Sequence, residues 1–295
     1  MRLAAIDIGS NAARLLITEV IAKDNGEAEF LKLNLVRVPL RLGFDVFESG
    51  MISQQRIGMI MQTMLAYKHL IDAYGVKNII AAATSAMRDA ANGKEIIRKV
   101  KQETGIDIEI ISGDYEASLI YENHVAENMS REESYLYIDV GGGSTELTFF
   151  SDGKLVYKRS FNIGTIRILK NMVSDETWDE MKEEVKTVTK GLKHITAIGS
   201  GGNINKVFSL SKRKEGKPLH IDTLRDYYKE LSNFTLEERM YAYKLREDRA
   251  DVIVPALLIY INVMRWADCT EIYVPKIGLA DGLIHHLYEE IMELR

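Results

Sequence analysis

Tyr135-Leu-Tyr-Ile-Asp-Val-Gly-Gly-Gly-Ser-Thr-Glu-Leu-Thr-Phe-Phe150 decides how this chain is read. Leu136, Ile138 and Val140 are apolar, with Tyr137 and Asp139 on the other face, so the run begins as a strand. Gly141, Gly142 and Gly143 then clear all side chains from the bend, and glycine permits close backbone approach to a ligand. From Gly141 to Thr145, successive backbone N–H groups can wrap a phosphate, and Ser144 and Thr145 add hydroxyls. Leu147, Phe149 and Phe150 resume an apolar strand. The result is a phosphate-holding hairpin. It is no Walker loop, which needs G-x-x-x-x-G-K-[ST] and a following helix. Asp139 and Glu146 flank the turn. Carboxylates beside a polyanion repel it unless a hard divalent cation lies between them, which implies Mg²⁺ or Mn²⁺.

The same device opens the chain. Leu3-Ala-Ala-Ile-Asp-Ile-Gly-Ser-Asn-Ala-Ala-Arg-Leu-Leu-Ile-Thr-Glu-Val20 is again strand, acid, glycine turn, strand. Asp7 parallels Asp139, and Gly9-Ser10-Asn11 parallels the second turn. Asp7 therefore joins Asp139 and Glu146 as a candidate metal ligand. Two copies imply a duplicated fold whose halves face each other over a phosphate chain. The charged stretch Glu127-Asn-Met-Ser-Arg-Glu-Glu133 is the best boundary, giving domains 1–128 and 129–295.

Outward from these loops the pattern is α/β. Met1 to Leu40 reads as three strands, with an Asn-Gly turn in Asp24-Asn-Gly-Glu27, and Gly43 to Gly50 reads as a loop. Ser53 caps a helix to about Tyr74. Val76 to Ala83 is a buried strand, and Asn92 caps a helix to Thr104. Ile106 to Ile111 is a strand, and a helix runs from Glu116 to about Asn128. In the second half Lys154 to Ser160 is a third strand, and Ser174-Asp-Glu-Thr177 resembles a capping box before a helix to about Lys193. Ile195 to Gly199 is a strand leading into Gly199-Ser-Gly-Gly-Asn203. Asp222 to Ser232 and Thr235 to Tyr243 are helical. A longer apolar helix spans about Arg249 to Ala267, with Pro255 kinking it or lying in its first turn. Glu271 to Val274 is the final strand, and Ala280 to Leu294 the final helix.

Composition narrows the classes. The 295 residues carry a net charge of −5, so no general basic footprint for nucleic acid exists. An anionic substrate must rely on a local site and a cation. The single cysteine, Cys269, excludes an internal disulfide and fits a reducing compartment. No uncharged run is long enough to span a membrane, and Asp7 interrupts any signal-like run. The expectation is a cytoplasmic homodimer.

Five segments carry a resemblance: Asp7-Ile-Gly-Ser-Asn11, Ala83-Thr-Ser-Ala-Met-Arg-Asp89, Ile111-Ser-Gly-Asp-Tyr-Glu-Ala117, Ile138-Asp-Val-Gly-Gly-Gly-Ser-Thr-Glu146 and Arg249-Ala-Asp-Val-Ile-Val254. In that order they resemble the exopolyphosphatase/guanosine pentaphosphate phosphohydrolase family. That family lies within the superfamily of actin, sugar kinases and heat-shock chaperones. The resemblance implies duplicated ribonuclease-H-like, actin-like ATPase domains with a mixed five-stranded sheet each and an active site in the interdomain cleft. It implies that Glu116 activates the attacking water. Arg88, whose guanidinium suits phosphate oxygens, would hold substrate phosphate with Thr84 and Ser85. Ser10 and Asn11 belong to loop one, Gly201 and Gly202 resemble the loop along a nucleotide, and Arg14 resembles an arginine near guanosine tetraphosphate. The chain departs from the family's S-G-x-E-E-A segment at Tyr115. It also departs from its G-L-R-E-G segment, where Ala280 replaces the arginine.

The implied activity is removal of the terminal phosphate from inorganic polyphosphate or guanosine pentaphosphate. Short polyphosphate is expected to be preferred, because the helical C-terminal domains of longer members have no counterpart in these residues. A kinase or nucleotide-binding ATPase of the same fold, and a non-catalytic polyphosphate or alarmone sensor, are the alternatives. Phosphate release without an acceptor separates them.

Overall fold

The computed structural model describes residues 1–23, 28–122, 133–192, 194–275 and 277–294. The Asn-Gly turn at 24–27 and the stretch 127–132 chosen as a boundary lie outside them. Two compact units result, Met1–Asn123 with Leu279–Arg295, and His124–Gly278.

The first unit runs β1 (Arg2–Ile8), β2 (Ala13–Ala22), β3 (Ala28–Val38), α1 (Leu42–Ser49), α2 (Gln54–Ala73), β4 (Asn78–Ala83), α3 (Ser85–Asp89), α4 (Gly93–Thr104), β5 (Glu109–Ile110) and α5 (Gly113–Glu122). Its sheet order is β3-β2-β1-β4-β5, antiparallel through β1–β2–β3 and parallel through β1–β4–β5. β1 is buried from Leu3 to Ile8, as a central strand covered on both faces must be. Ser53 caps α2 by accepting from Arg56 N. Asn92 does not cap α4 with its side chain. It bonds both backbone groups of Ile52 instead, at 3.0 and 2.8 Å. The segment expected as a loop at 43–50 is helical, with Leu42, Val46 and Phe47 buried one turn apart and Gly50 closing it at φ 74°.

The second unit runs β6 (Ser134–Val140), β7 (Thr145–Ser151), β8 (Lys154–Phe161), α6 (Thr165–Leu169), α7 (Asp175–Thr189), β9 (Ile195–Ser200), α8 (Gly202–Ser211), β10 (Leu219–His220), α9 (Ile221–Ser232), α10 (Leu236–Tyr243), α11 (Glu247–Ala250), α12 (Ile253–Trp266) and β11 (Glu271–Tyr273). Its order, β10-β11-β9-β6-β7-β8, repeats the first sheet and adds one strand. The expectation of five strands in each sheet is thus corrected to five and six. The extra strand is β10, two residues after Pro218 that pair antiparallel with β11. Pro255 lies in the first turn of α12, where its missing N–H is no loss. The residues before it form the separate short helix α11. The core gathers Leu136, Ile138, Leu147 and Phe149 against Ile253, Leu257, Tyr260 and Met264.

The last element, α13 (Leu279–Glu293), belongs to the first unit. A continuous second domain 129–295 is corrected at this point. Leu279, Ala280, Leu283 and Ile284 form a stripe at helical spacing and pack with Leu3, Ala5, Leu16 and Val20. Each large apolar side chain buried there contributes about 1.5–3 kcal/mol. The stripe matches the open face of the first sheet.

Candidate active site

Both glycine turns are built alike. Asp7 faces Arg14 across β1–β2, Asp139 faces Glu146 across β6–β7, and each turn closes on one bond, Gly9 N to Ala12 O at 3.0 Å and Gly141 N to Ser144 O at 2.9 Å. The position opposite the aspartate separates them. In loop one it is Arg14, whose Nη1 donates to Asp7 Oδ2 at 2.5 Å, with Asp7 only 3% exposed. In loop two it is a second carboxylate. The duplication therefore neutralises the acid in one copy and doubles it in the other.

Around loop one, Ser10 Oγ accepts from Ala86 N at 3.2 Å, and Thr84 N donates to Ile8 O at 3.1 Å. This ties the Thr84–Ser85 turn to the loop. Asn11 O accepts from Arg41 N at 2.9 Å. Ser85 Oγ is buried without a hydrogen-bond partner among the described residues, and a buried hydroxyl in that state is an acceptor or donor in waiting. Arg88 Nη1 donates to Ile111 O at 2.8 Å. That bond uses one of five guanidinium donors and braces the strand end from which α5 departs. Glu116 stands in the first turn of α5, 9% exposed, and its N donates to Ser112 O at 2.9 Å. Nearby, burial and then the Asp7 charge push the Tyr67 phenol well up, so it stays protonated and donates to Val36 O at 3.2 Å.

Loop two is held from one side. Thr165 N donates to Gly141 O at 3.1 Å, Ile166 N to Gly142 O at 2.8 Å, and Arg167 Nε to Gly143 O at 2.7 Å. In a trans peptide the C=O and the next N–H point opposite ways. Three carbonyls drawn to α6 therefore aim the N–H groups of Gly142, Gly143 and Ser144 away from it, as an anion cradle requires. Thr145 Oγ1 donates to Ile163 O at 2.6 Å and is fully buried, so it braces the hairpin. Gly164 is obligatory, because a Cβ there would lie 2.4 Å from Gly142 O.

Asp139 and Glu146 form an acidic pair able to hold a metal ion. Glu146 Oε1 accepts from Ser160 Oγ at 2.7 Å. A Cβ on Gly201, at φ 103°, would lie 3.0 Å from Asp139 Oδ1. Ser200, beside Asp139 on β9, has a buried Oγ without a partner among the described residues. Two carboxylates and a spare hydroxyl make an all-oxygen donor set, which fits a hard cation. Gly202 packs on Arg249, whose Nη1 donates to Asn203 Oδ1 at 2.7 Å. Tyr260, its phenol pushed well up by burial and by Asp139, donates to Ser200 O. Ser160, Ser200 and Tyr260 were not found from the sequence, because strand register reveals the two serines and the packing of α12 reveals Tyr260.

A model of the Ppx/GppA phosphatase family matches residues 20–290. The chain belongs to the Ppx/GppA phosphatase family. Among curated Ppx/GppA relatives, a bifunctional 3-dehydroquinate synthase/phosphatase of Fusobacterium nucleatum is 33% identical over 88% of this chain, which spans 43% of that protein. Exopolyphosphatase 1 of Mycobacterium tuberculosis is 24% identical over 96% of this chain and 87% of its own. The crystal structure of the Aquifex aeolicus Ppx/GppA family member superposes with a TM-score of 0.76 at 27% identity, covering 100% of this chain and 99% of that one. The fold is the two-domain actin-like ATPase fold of the Ppx/GppA proteins. Among the described residues no helix is long and apolar enough to cross a membrane.

Proposed function

We propose that this chain is an exopolyphosphatase-type phosphohydrolase that cleaves the terminal phosphoric-anhydride bond of short inorganic polyphosphate, with guanosine pentaphosphate as a second substrate. The observation that carries the reading is loop two, whose carbonyls are drawn to α6 so that its N–H groups face the other way beside Asp139 and Glu146.

In this proposal the two glycine loops act on one phosphate chain. The N–H groups of Gly142, Gly143 and Ser144 and the side chains of Ser10, Asn11, Thr84, Ser85 and Arg88 hold the terminal phosphoryl group. Gly201 and Gly202 contribute backbone along the rest of the substrate, and Arg14 lies toward the nucleotide when one is bound. Asp139 and Glu146, with Asp7, would hold Mg²⁺ or Mn²⁺, which would supply charge neutralisation on the phosphate oxygens. Glu116 takes a proton as water attacks the terminal phosphorus. The bridging P–O bond breaks, and the shortened chain leaves with the electron pair. The working unit is proposed to be a cytoplasmic homodimer.

The test is phosphate release without acceptor, run in parallel on long polyphosphate, short polyphosphate and guanosine pentaphosphate. Release from short chains, with intermediates visible on a gel, is the expected result. Glu116→Gln should lower kcat by roughly 10²-fold or more while substrate still binds. Processive degradation of long chains would refute the chain-length preference. Phosphate transfer that needs an acceptor would replace hydrolase by kinase.

A further inference from the structure

Glu116 sits on a helix clamped from one side by α13. A Cβ on Gly282 would lie 2.1 Å from the Leu119 carbonyl oxygen, so only glycine lets α13 come this close. One turn further along α13, His286 meets Tyr115, one turn earlier on α5. The phenol oxygen and Nε2 are 3.0 Å apart, with the rings edge-to-face at 83°. The pairs 119–282 and 115–286 run in opposite senses, so the helices are antiparallel and locked at two points. The glycine contact sets how near they lie. The directional Tyr115–His286 bond sets the roll of α5 about its own axis.

Glu116 follows Tyr115 by about 100° around that helix. A roll of roughly 10° at about 6 Å from the axis moves a side-chain tip by about 1 Å, a displacement that costs catalysis heavily. Glu290 Oε1 lies 3.4 Å from the same His286 Nε2, on the next turn of α13. His285 stacks on Phe30 of β3 with centroids 3.8 Å apart, which anchors α13 to the sheet. We propose that Tyr115 and His286 are positioning residues for hydrolysis. Their bond holds Glu116 at the angle from which it accepts the water's proton, and it rests on Glu116 being that acceptor.

Tyr115→Phe removes one oxygen and keeps the ring, and His286→Phe keeps the bulk. Each should lower kcat on short polyphosphate by roughly 3- to 10-fold with KM within about twofold. The double variant should be no slower than the slower single one, and His286→Gln, which can still meet the phenol, should recover most of the loss. In a Glu116→Gln background, Tyr115→Phe should change nothing further. Wild-type kcat in Tyr115→Phe beside a crippled Glu116→Gln enzyme overturns the positioning role alone, as do additive losses. A fully active Glu116→Gln enzyme overturns both the base and the role built on it. If His286→Phe fails to fold, Tyr115→Phe, lacking only a hydroxyl, still decides.

Discussion

Gly164→Ala tests whether loop two positions substrate through its backbone. Gly164 has φ −137° and ψ 162°, extended values that any residue adopts, so the whole effect of alanine is steric. Its Cβ would stand 2.4 Å from Gly142 O, 2.4 Å from Gly143 C and 2.5 Å from Gly142 C, all backbone. Ordinary contact begins near 3.4 Å, so the turn must retreat by about 1 Å in a close-packed interior. The Ile166 N to Gly142 O bond, now 2.8 Å, would stretch past the limit of a hydrogen bond. The N–H groups on the far side would turn with it. We expect kcat/KM for phosphate release to fall by roughly 10²-fold, the usual scale for such misplacement. Stability in denaturant titration should fall by about 1–3 kcal/mol. Gly58→Ala is the control, because Gly58 lies in α2 with nothing within 4 Å of its Cβ. It should gain up to about 1 kcal/mol and leave kinetics alone. A folded Gly164→Ala enzyme with wild-type kcat/KM would refute the loop's role.

Excess chelator should abolish turnover and added Mg²⁺ should restore it. Ser160→Ala, which frees Glu146 Oε1, should raise the Mg²⁺ concentration needed by roughly 10-fold, and full activity in chelator would sink both statements. Arg14→Met leaves the buried Asp7 carboxylate without its guanidinium. It should cost about 1–3 kcal/mol in denaturant titration, less than a fully buried pair because Arg14 is 31% exposed, and an unchanged midpoint would contradict the pairing. Burial and the adjacent Asp268 charge push the Cys269 thiol up to about 12. It is therefore protonated at pH 8, and alkylation should need denaturant. Rapid labelling of native protein would refute that.

The two hairpins were legible because each joins an alternating strand to a glycine turn with an acid in register, and that local signal survives folding. The strands β4 and β9 were legible as short apolar runs, whereas their parallel pairing with β1 and β6 is seen in the structure. What escaped the sequence was non-local. β10 is too short to show a period. α1 hides a buried face in eight residues that contain glycine and two acids. The amphipathic stripe of α13 shows that it packs, but not on which sheet. At the site, the turns themselves were readable, whereas the partners of Asp7 and Glu146 were not. Arg14 and Ser160 become neighbours only through cross-strand register, and Thr145, read as a donor to ligand, donates to Ile163 O.

The packing of α13 on β1 has a consequence for biosynthesis. The helix is made about 270 residues after the strand it covers, and closing a loop of that length costs about 5 kcal/mol of chain entropy. The second unit, whose strands are all contributed by one uninterrupted segment, can settle on the ribosome while the first still waits with Leu3, Ala5 and Leu16 uncovered. A nascent chain stalled before Leu279 should therefore expose an apolar sheet face, and holdase chaperones would find it there. The loop-one half of the enzyme acquires its native stability only once α13 has been made and can reach β1.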